Sequence, residues 1–558
     1  MSYNSTRDAT LNPSINTTTL DPESFLDMDE SGSEYHSRMQ GLLAVVGVVL
    51  SIVFSIICII VGVFVSRHTG LVNDVVLPPG PWRNSTFPAV NTPYKGLIAF
   101  LPGVTVPTEI LSLLLNFVVT LFTECIGFVH SVTLKSALAS QGQLDFNTNP
   151  RLFSLMRFKN WYHPNGPICN TAMMILLTLS YSSSSLCIVP IQSLDSNDGL
   201  ASDYWSALLF GVPAILLGVT ILFQACIAIY SISTVKVLTW SSSPFDTAYA
   251  MLRNGLITRR PGRSMHTAVD DDAPLAPSRE YQPSAWQCHP VIKRVVVLLW
   301  LLSIACAGWG GLIYYVWMNS PMEPFVSKGS WALVPNPHTF SLSLSQKVDP
   351  VRGITAWPVI FAFFAAAQGS ITIGLHCAEL NANVMRDELQ WRQATTSSGM
   401  PMSRNPILGV LGSLPNLSLL IAKPVIHWLF GLAMNMRATA DPLIDVMLNI
   451  EIVNRPAQLF YLSGALLIFA IGMTAMVLRH PSGVQPAAFG HIQTLADMID
   501  VWAPRIWWGY KVTNVYNGHA GTSDWPDLPP MTLGPSETRP ACFVTFVPAW
   551  ALRREQWA

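Results

Sequence analysis

The run GLLAVVGVVLSIVFSIICIIVGVFVS, Gly41 to Ser66, carries no charged side chain and exceeds the ~20 apolar residues that a helix needs to cross a bilayer core. Seven further apolar runs follow it: Pro107 to His130, Ile168 to Ile191, Trp205 to Val235, Val291 to Met318, Trp357 to Glu379, Ile407 to Met436 and Gln458 to Leu478. The fold class expected from this pattern is all-α, a polytopic transmembrane bundle of eight spans, or of seven if 407–436 does not cross. That run is the weakest because Lys423 and Pro424 interrupt it; a buried charge beside a helix breaker suits a re-entrant segment nearly as well.

Composition agrees with the spans. Of the 558 residues only 12% are charged, against about 25% in an ordinary soluble protein, and the mean hydropathy is +0.37. A soluble enzyme is therefore not expected. The formal net charge of −1 and the lack of a concentrated basic stripe remove the electrostatic footprint of a nucleic-acid binder, so the expected partners are the lipid bilayer and a small solute or ion.

Lys and Arg divide unequally between alternate connections. The amino tail, 131–167, 236–294, 380–405 and the carboxyl tail hold 23 of the 32, and the opposite set holds 8. Cytosolic loops retain positive charge, so both termini are expected in the cytosol of a plasma membrane or endomembrane protein. The sequon at Asn84 then falls in an outside loop as a glycosylation candidate. About 40 polar residues precede the first span, which argues against a cleaved signal peptide and for a retained anchor. The resulting organisation is an amino tail (1–40) without order, spans one to four (41–235), a disordered cytosolic linker (236–290), spans five to eight (291–478) and a cytosolic tail (479–558).

Within the linker, Arg260 and Arg263 precede Ser264, the pattern of a basophilic phosphorylation site; a solvated loop is the simpler reading. In the tail, Ile492, Leu495, Ile499 and Trp502 recur at helical spacing and define an amphipathic helix, followed by Trp507, Trp508, Tyr510 and Lys511, a composition suited to lipid headgroups. Docking of the tail on the inner leaflet or on the cytosolic face of the bundle would cover that face. No internal repeat is visible.

Polar residues inside the spans carry the functional expectation. On a helical wheel Ser112, Asn116, Thr120, Thr123, Glu124 and His130 all fall within about 60° of Glu109, and in the sixth span Thr372, His376, Glu379 and Asn383 fall within about 80° of Gln368. A carboxylate in hydrocarbon is costly, so Glu124 is expected to face the bundle interior, paired or protonated. Glu109, Asn116, Glu124, Gln368, His376 and Glu379 therefore define a candidate polar path. The competing reading makes the stripes interhelical hydrogen bonds worth ~0.6 kcal/mol each. A pair between Lys423 and Glu124 or Glu379 would satisfy both.

Catalytic signatures are missing from the sequence: the twelve histidines show no H-x3-H or H-E-x2-H spacing, the nine cysteines no C-x2-C pair, and neither a G-x-S-x-G elbow nor a P-loop occurs. Neither enzyme activity, cofactor nor metal site is expected on these grounds. At PNGPICN (164–170), LTLSYSSSSL (177–186), QPAAFGHIQTLADMIDVW (485–502), WWGYK (507–511) and HAGTSD (519–524) the chain resembles a family of uncharacterised multi-pass membrane proteins of filamentous fungi. The resemblance implies a polytopic membrane protein and carries over no site residue. The leading reading is passage of a small solute or ion along the polar path; its rival is a membrane-organising or sensing role exercised through the linker and tail, and a lipid-modifying enzyme is the third and least favoured, for want of a recognisable nucleophile or metal box.

Overall fold

In the computed structural model of the protein the described residues are 30–71, 93–95, 97–100, 108–149, 153, 163–193, 206–260, 263–270, 281–319, 330–336, 339–346, 357–402, 413–440, 448–512, 518–526 and 528. Eight helices of 20 residues or more form the body: α1 (Glu30–Arg67), α2 (Thr108–Ser140), α3 (Pro167–Cys187), α4 (Gly211–Thr234), α7 (Ile292–Met318), α8 (Trp357–Arg392), α9 (Leu414–Ala433) and α10 (Pro456–Leu478), with short helices α5 (Pro244–Arg253) and α6 (Ala285–Cys288) between α4 and α7. Seven of the eight are long and apolar enough to cross a membrane, which makes the chain an integral, multi-pass membrane protein. The exception is α3, whose hydropathy is diluted by Ser182 to Ser185, all of them buried.

The run with Lys423 and Pro424 is one of the seven. Proline removes one intrahelical bond, leaving the Leu420 carbonyl without its usual donor, yet α9 continues through Pro424 to Ala433. Side chains such as Leu42, Val49, Phe117, Ile304, Leu414 and Ile468 remain exposed on the outer surface, the positions that acyl chains cover in a membrane.

The connections at one end of the bundle form a sheet that apolar periodicity did not reveal. The α3 helix ends by running straight into β4 (Ile188–Ser193), α9 into β8 (Met434–Ala440), while β5 (Ser206–Phe210) feeds α4 and β9 (Leu448–Asn454) feeds α10. With β3 (Leu97–Phe100) and β6 (Leu342–Gln346) these strands have the order β3-β5-β4-β8-β9-β6. Every neighbouring pair is antiparallel except the central one, β4 with β8, which is parallel.

That order reads the same from either edge. In each half the outer strand lies between the first two long helices, and the hairpin joins the last two; α1 packs on α4 as α7 packs on α10. A parallel central pair is what a two-fold axis along the strands produces, so the two halves are a parallel repeat rather than an inverted one. The sequence did not display it because little of it survives in residue identities. Once the helices are paired, α2 and α8 align at a constant offset of 252: Asn116 with Gln368, Thr120 with Thr372, Glu124 with His376, Cys125 with Cys377.

The opposite end of the bundle corrects the expectation of a disordered linker. Ser243 caps α5 by accepting a bond from the Phe245 amide, Pro244 occupies its first turn, and Phe245, Ala248, Tyr249 and Met251 are buried against Leu134, Trp391 and Met498. Farther along, Arg260 N donates to Asp497 Oδ1, Ala268 N to Ala487 O and Gln282 N to Pro481 O, which fixes the described linker residues to the carboxyl-terminal segment. The apolar residues at i, i+3 and i+4 outweigh the surrounding Pro, Ser and Arg. Ser264 is buried and not presented as a phosphorylation site would be.

The tail does carry its short helix, α11 (Ile492–Met498), and Ile492, Leu495, Ile499 and Trp502 are buried on the bundle itself. The WWGYK stretch belongs to β10 (Arg505–Val512), paired with β11 (Gly518–Ser523) and with β7 (Met400–Pro401); Trp508 is buried, and Lys511 pairs with Asp500 at 2.9 Å rather than reaching for headgroups. Asn84 lies outside the described residues.

Candidate functional site

Helices α2, α8 and α9 meet with α3 at the junction of the two halves, and their polar faces meet there in layers. Nearest the sheet, Ser184 Oγ donates to Asn116 Oδ1 at 2.9 Å, and Gln368 Nε2 donates to Ser185 Oγ at 3.0 Å while lying 3.4 Å from His427 Nδ1. The serine run of α3 thus serves both halves. One turn deeper Tyr181 donates to Thr120 Oγ1 at 3.2 Å, lies 3.3 Å from Thr123 Oγ1 and stacks on His427.

The third layer is charged. Lys423 Nζ donates to Glu124 Oε1 at 2.5 Å and also to Glu379 Oε1, and lies 3.3 Å from His376 Nδ1; that nitrogen is 3.0 Å from Glu379 Oε1 and 3.8 Å from Glu124 Oε1. One carboxylate comes from each half. The lysine and imidazole side chains are almost wholly buried, at 2% and 1%, while the Glu124 and Glu379 side chains keep 29% and 23% of their surface exposed. Two acids against one ammonium leave the layer a negative charge in excess when the imidazole is neutral. His376 Nε2, His427 Nε2 and Gln368 Oε1 are buried without a hydrogen-bond partner among the described residues.

Of the six residues of the expected path, the structure gathers Glu124, His376 and Glu379 into one cluster and places Asn116 and Gln368 in the layer above it. Glu109 stands apart: fifteen residues earlier on α2, about 22 Å along the axis, its backbone carbonyl accepts a bond from Trp428 Nε1. Tyr181 escaped the sequence reading because an aromatic in an apolar span reads as core.

Another polar network, also missed, closes the end opposite the sheet. Lys135 Nζ donates to Asn147 Oδ1 and to the Ser241 carbonyl, both at 3.2 Å; Asn147 Nδ2 donates to Asp387 Oδ2 at 2.9 Å, and Arg386 pairs with Asp387 at 2.8 Å. Lys135 and Asp387 obey the same offset of 252. Their signal was the continuation of the sixth-span stripe in steps of four, Glu379, Asn383, Asp387. On this same end a polar recess of about 240 Å³ is flanked by Arg260, Arg263, His266 and His491, with Asp270 and Asp497 balancing the charge. Burial pushes the Asp497 carboxyl up and the His491 imidazole down.

Against protein-family models, curated proteins and solved structures alike, the chain finds no match.

Proposed function

We propose that the protein passes a small solute or ion across its membrane along the seam between the two halves, with Glu124, His376, Glu379 and Lys423 as the working site. The observation that carries this reading is the joining of carboxylates from α2 and α8 on one buried ammonium from α9. Helix glue needs only hydroxyls and amides, and both are already present in the neighbouring layers; ionised groups at this depth are costly and mark substrate or ion pathways. Parallel repeats meeting on a membrane-normal axis, with the site at their interface, are a recurrent plan among transporters. The distribution of Lys and Arg orients the sheet outward and both termini to the cytosol of a plasma membrane or endomembrane. We further propose that the chain is one of the fungal multi-pass group it resembles, on the QPAAFGHIQTLADMID and HAGTSD stretches.

The test is flux into liposomes that contain the purified protein, challenged in turn with gradients of Na⁺, K⁺, Mn²⁺, Zn²⁺ and protons and read with entrapped indicators. Glu124→Gln and His376→Ala should each reduce the flux or shift its pH dependence while the protein remains folded by thermal unfolding. Flux no greater than that of empty vesicles for every ion, or flux unchanged in both variants, would reject the path.

A further inference from the structure

The charged layer has the donor set of a metal site, and a cation of the chain's own already occupies it. Glu124, His376 and Glu379 offer one ligand atom each, and these three atoms lie within 4.8 Å of one another. Lys423 Nζ sits among them, 2.5 Å from Glu124 Oε1, 3.3 Å from His376 Nδ1 and bonded to Glu379. Since the ammonium touches all three donors, a second cation has no place between them. Any cation bound there takes the lysine's position.

Charge and ligand chemistry then narrow the class. A monovalent ion replacing the ammonium would leave the same excess negative charge as before, whereas a divalent ion neutralises the two carboxylates. Ca²⁺ takes six to eight oxygen ligands and Mg²⁺ a near-octahedral oxygen shell; two carboxylates with an imidazole instead suit first-row transition ions such as Zn²⁺ and Mn²⁺. Geometry is close to that requirement. Donor atoms about 2.0–2.1 Å from a tetrahedral ion lie about 3.3 Å apart, and the separations here are 3.0 Å for His376–Glu379 and 3.8 Å for His376–Glu124. The two carboxylate oxygens, on either side of the ammonium, lie within 4.8 Å of each other, so they must draw together by up to about 1.5 Å to close on a tetrahedral ion.

Two further features fit an exchangeable occupant. Pro424 follows Lys423 directly, so the helix lacks a hydrogen bond where the lysine would have to withdraw. Both glutamates keep an exposed edge while Lys423 and His376 do not, which gives an entering ion a carboxylate to meet first.

We propose that Glu124, His376 and Glu379 form a binding site for a divalent first-row transition-metal ion, which exchanges with the Lys423 ammonium. The ion's role as cargo rests on the passage reading above; its binding does not.

The experiment is competition of Zn²⁺ and Mn²⁺ for the detergent-purified full chain against a fluorescent metal indicator. One saturable site per chain is expected, weakened by about tenfold or more in Glu124→Gln, His376→Ala and Glu379→Gln. Lys423→Met should bind more tightly, because the internal competitor is gone; if that variant does not fold, Lys423→Met combined with Glu124→Gln restores the charge balance and should lose the site. Absence of saturable binding of either ion, or binding indifferent to Glu124→Gln and His376→Ala, overturns the proposal. Na⁺ or K⁺ flux lost in Glu124→Gln without metal binding would sink the metal site and leave the passage standing; metal binding without any flux would do the reverse.

Discussion

The rings of Tyr181 and His427 stack with centroids 3.9 Å apart and planes 14° from parallel, and each residue lies seven positions before the first residue of the strand that continues its helix. They are therefore equivalent positions of the two halves, and their contact lies on the pseudo-two-fold axis that also passes between the paired strands β4 and β8. The stack ties α3 to α9 at the level between the amide layer and the charged layer.

Replacing this ring tests its part in joining the halves. Tyr181→Phe keeps the stack and loses only the bonds to Thr120 and Thr123, so a cost of about 0.6 kcal/mol is expected. Tyr181→Ala leaves a cavity at the axis and should cost about 3–5 kcal/mol. Thermal unfolding in detergent measures both; equal effects would show that the hydroxyl, not the ring, matters.

Lys423 is expected to be the most sensitive single charge. Removing one partner of a buried ion pair strands the others, so Lys423→Met should destabilise by about 3 kcal/mol, the low end of the usual range because Glu124 and Glu379 retain an exposed edge. The triple substitution Lys423→Met, Glu124→Gln, Glu379→Gln should regain most of that loss. Comparison of the two unfolding midpoints checks it, and a triple variant no more stable than the single one contradicts it.

Glu388, near the end of α8, holds the tail in place. Its Oε2 accepts the Ala488 and Phe489 amides at 3.0 and 2.9 Å, and its Oε1 accepts Arg392 Nε at 2.7 Å, fixing a turn in which Phe489 has a φ of 46°. Glu388→Ala leaves two buried N–H groups unpaired at about 1–3 kcal/mol each. Faster proteolysis within 480–500 in Glu388→Ala than in Glu388→Gln, which keeps an acceptor, is the expected readout.

Two titrating groups in the end opposite the sheet should oppose one another. Burial raises the Asp246 carboxyl to about 6 despite Ser241 and Lys135, and burial lowers the His289 imidazole to about 4. An acid raised in the folded state contributes stability below about pH 4 that is lost as pH rises through about 6. An imidazole lowered in the folded state does the reverse, adding stability as pH rises from about 4 to 6.5. Each change is on the order of 3 kcal/mol. In the unsubstituted protein the two changes nearly cancel, so Asp246→Asn should leave a gain in stability between about pH 4 and 6.5 and His289→Gln a loss; parallel pH profiles for the two variants would refute this.

How much was legible follows from what each residue must satisfy locally. The spans declared themselves because a bilayer demands long uncharged runs, and Glu124, Glu379 and Lys423 were conspicuous because a charge inside such a run needs a partner. Strands β4 and β8 were hidden because Ile188 and Met434 continue the apolar composition of the helices they end. The α5 helix was masked by its Pro- and Ser-rich flanks. The repeat was hidden because Glu124 faces His376 in the offset of 252, a match of role rather than of residue type.

The central claim is that water and ions reach the charged layer from one side of the membrane or the other. The most direct measurement is modification of Glu124→Cys, in a background lacking the nine native cysteines, by a membrane-impermeant cationic thiol reagent applied to either face of sealed vesicles. The account predicts reaction from at least one face. No reaction from either face, with full reaction after denaturation, would mean a dry seam and contradict it.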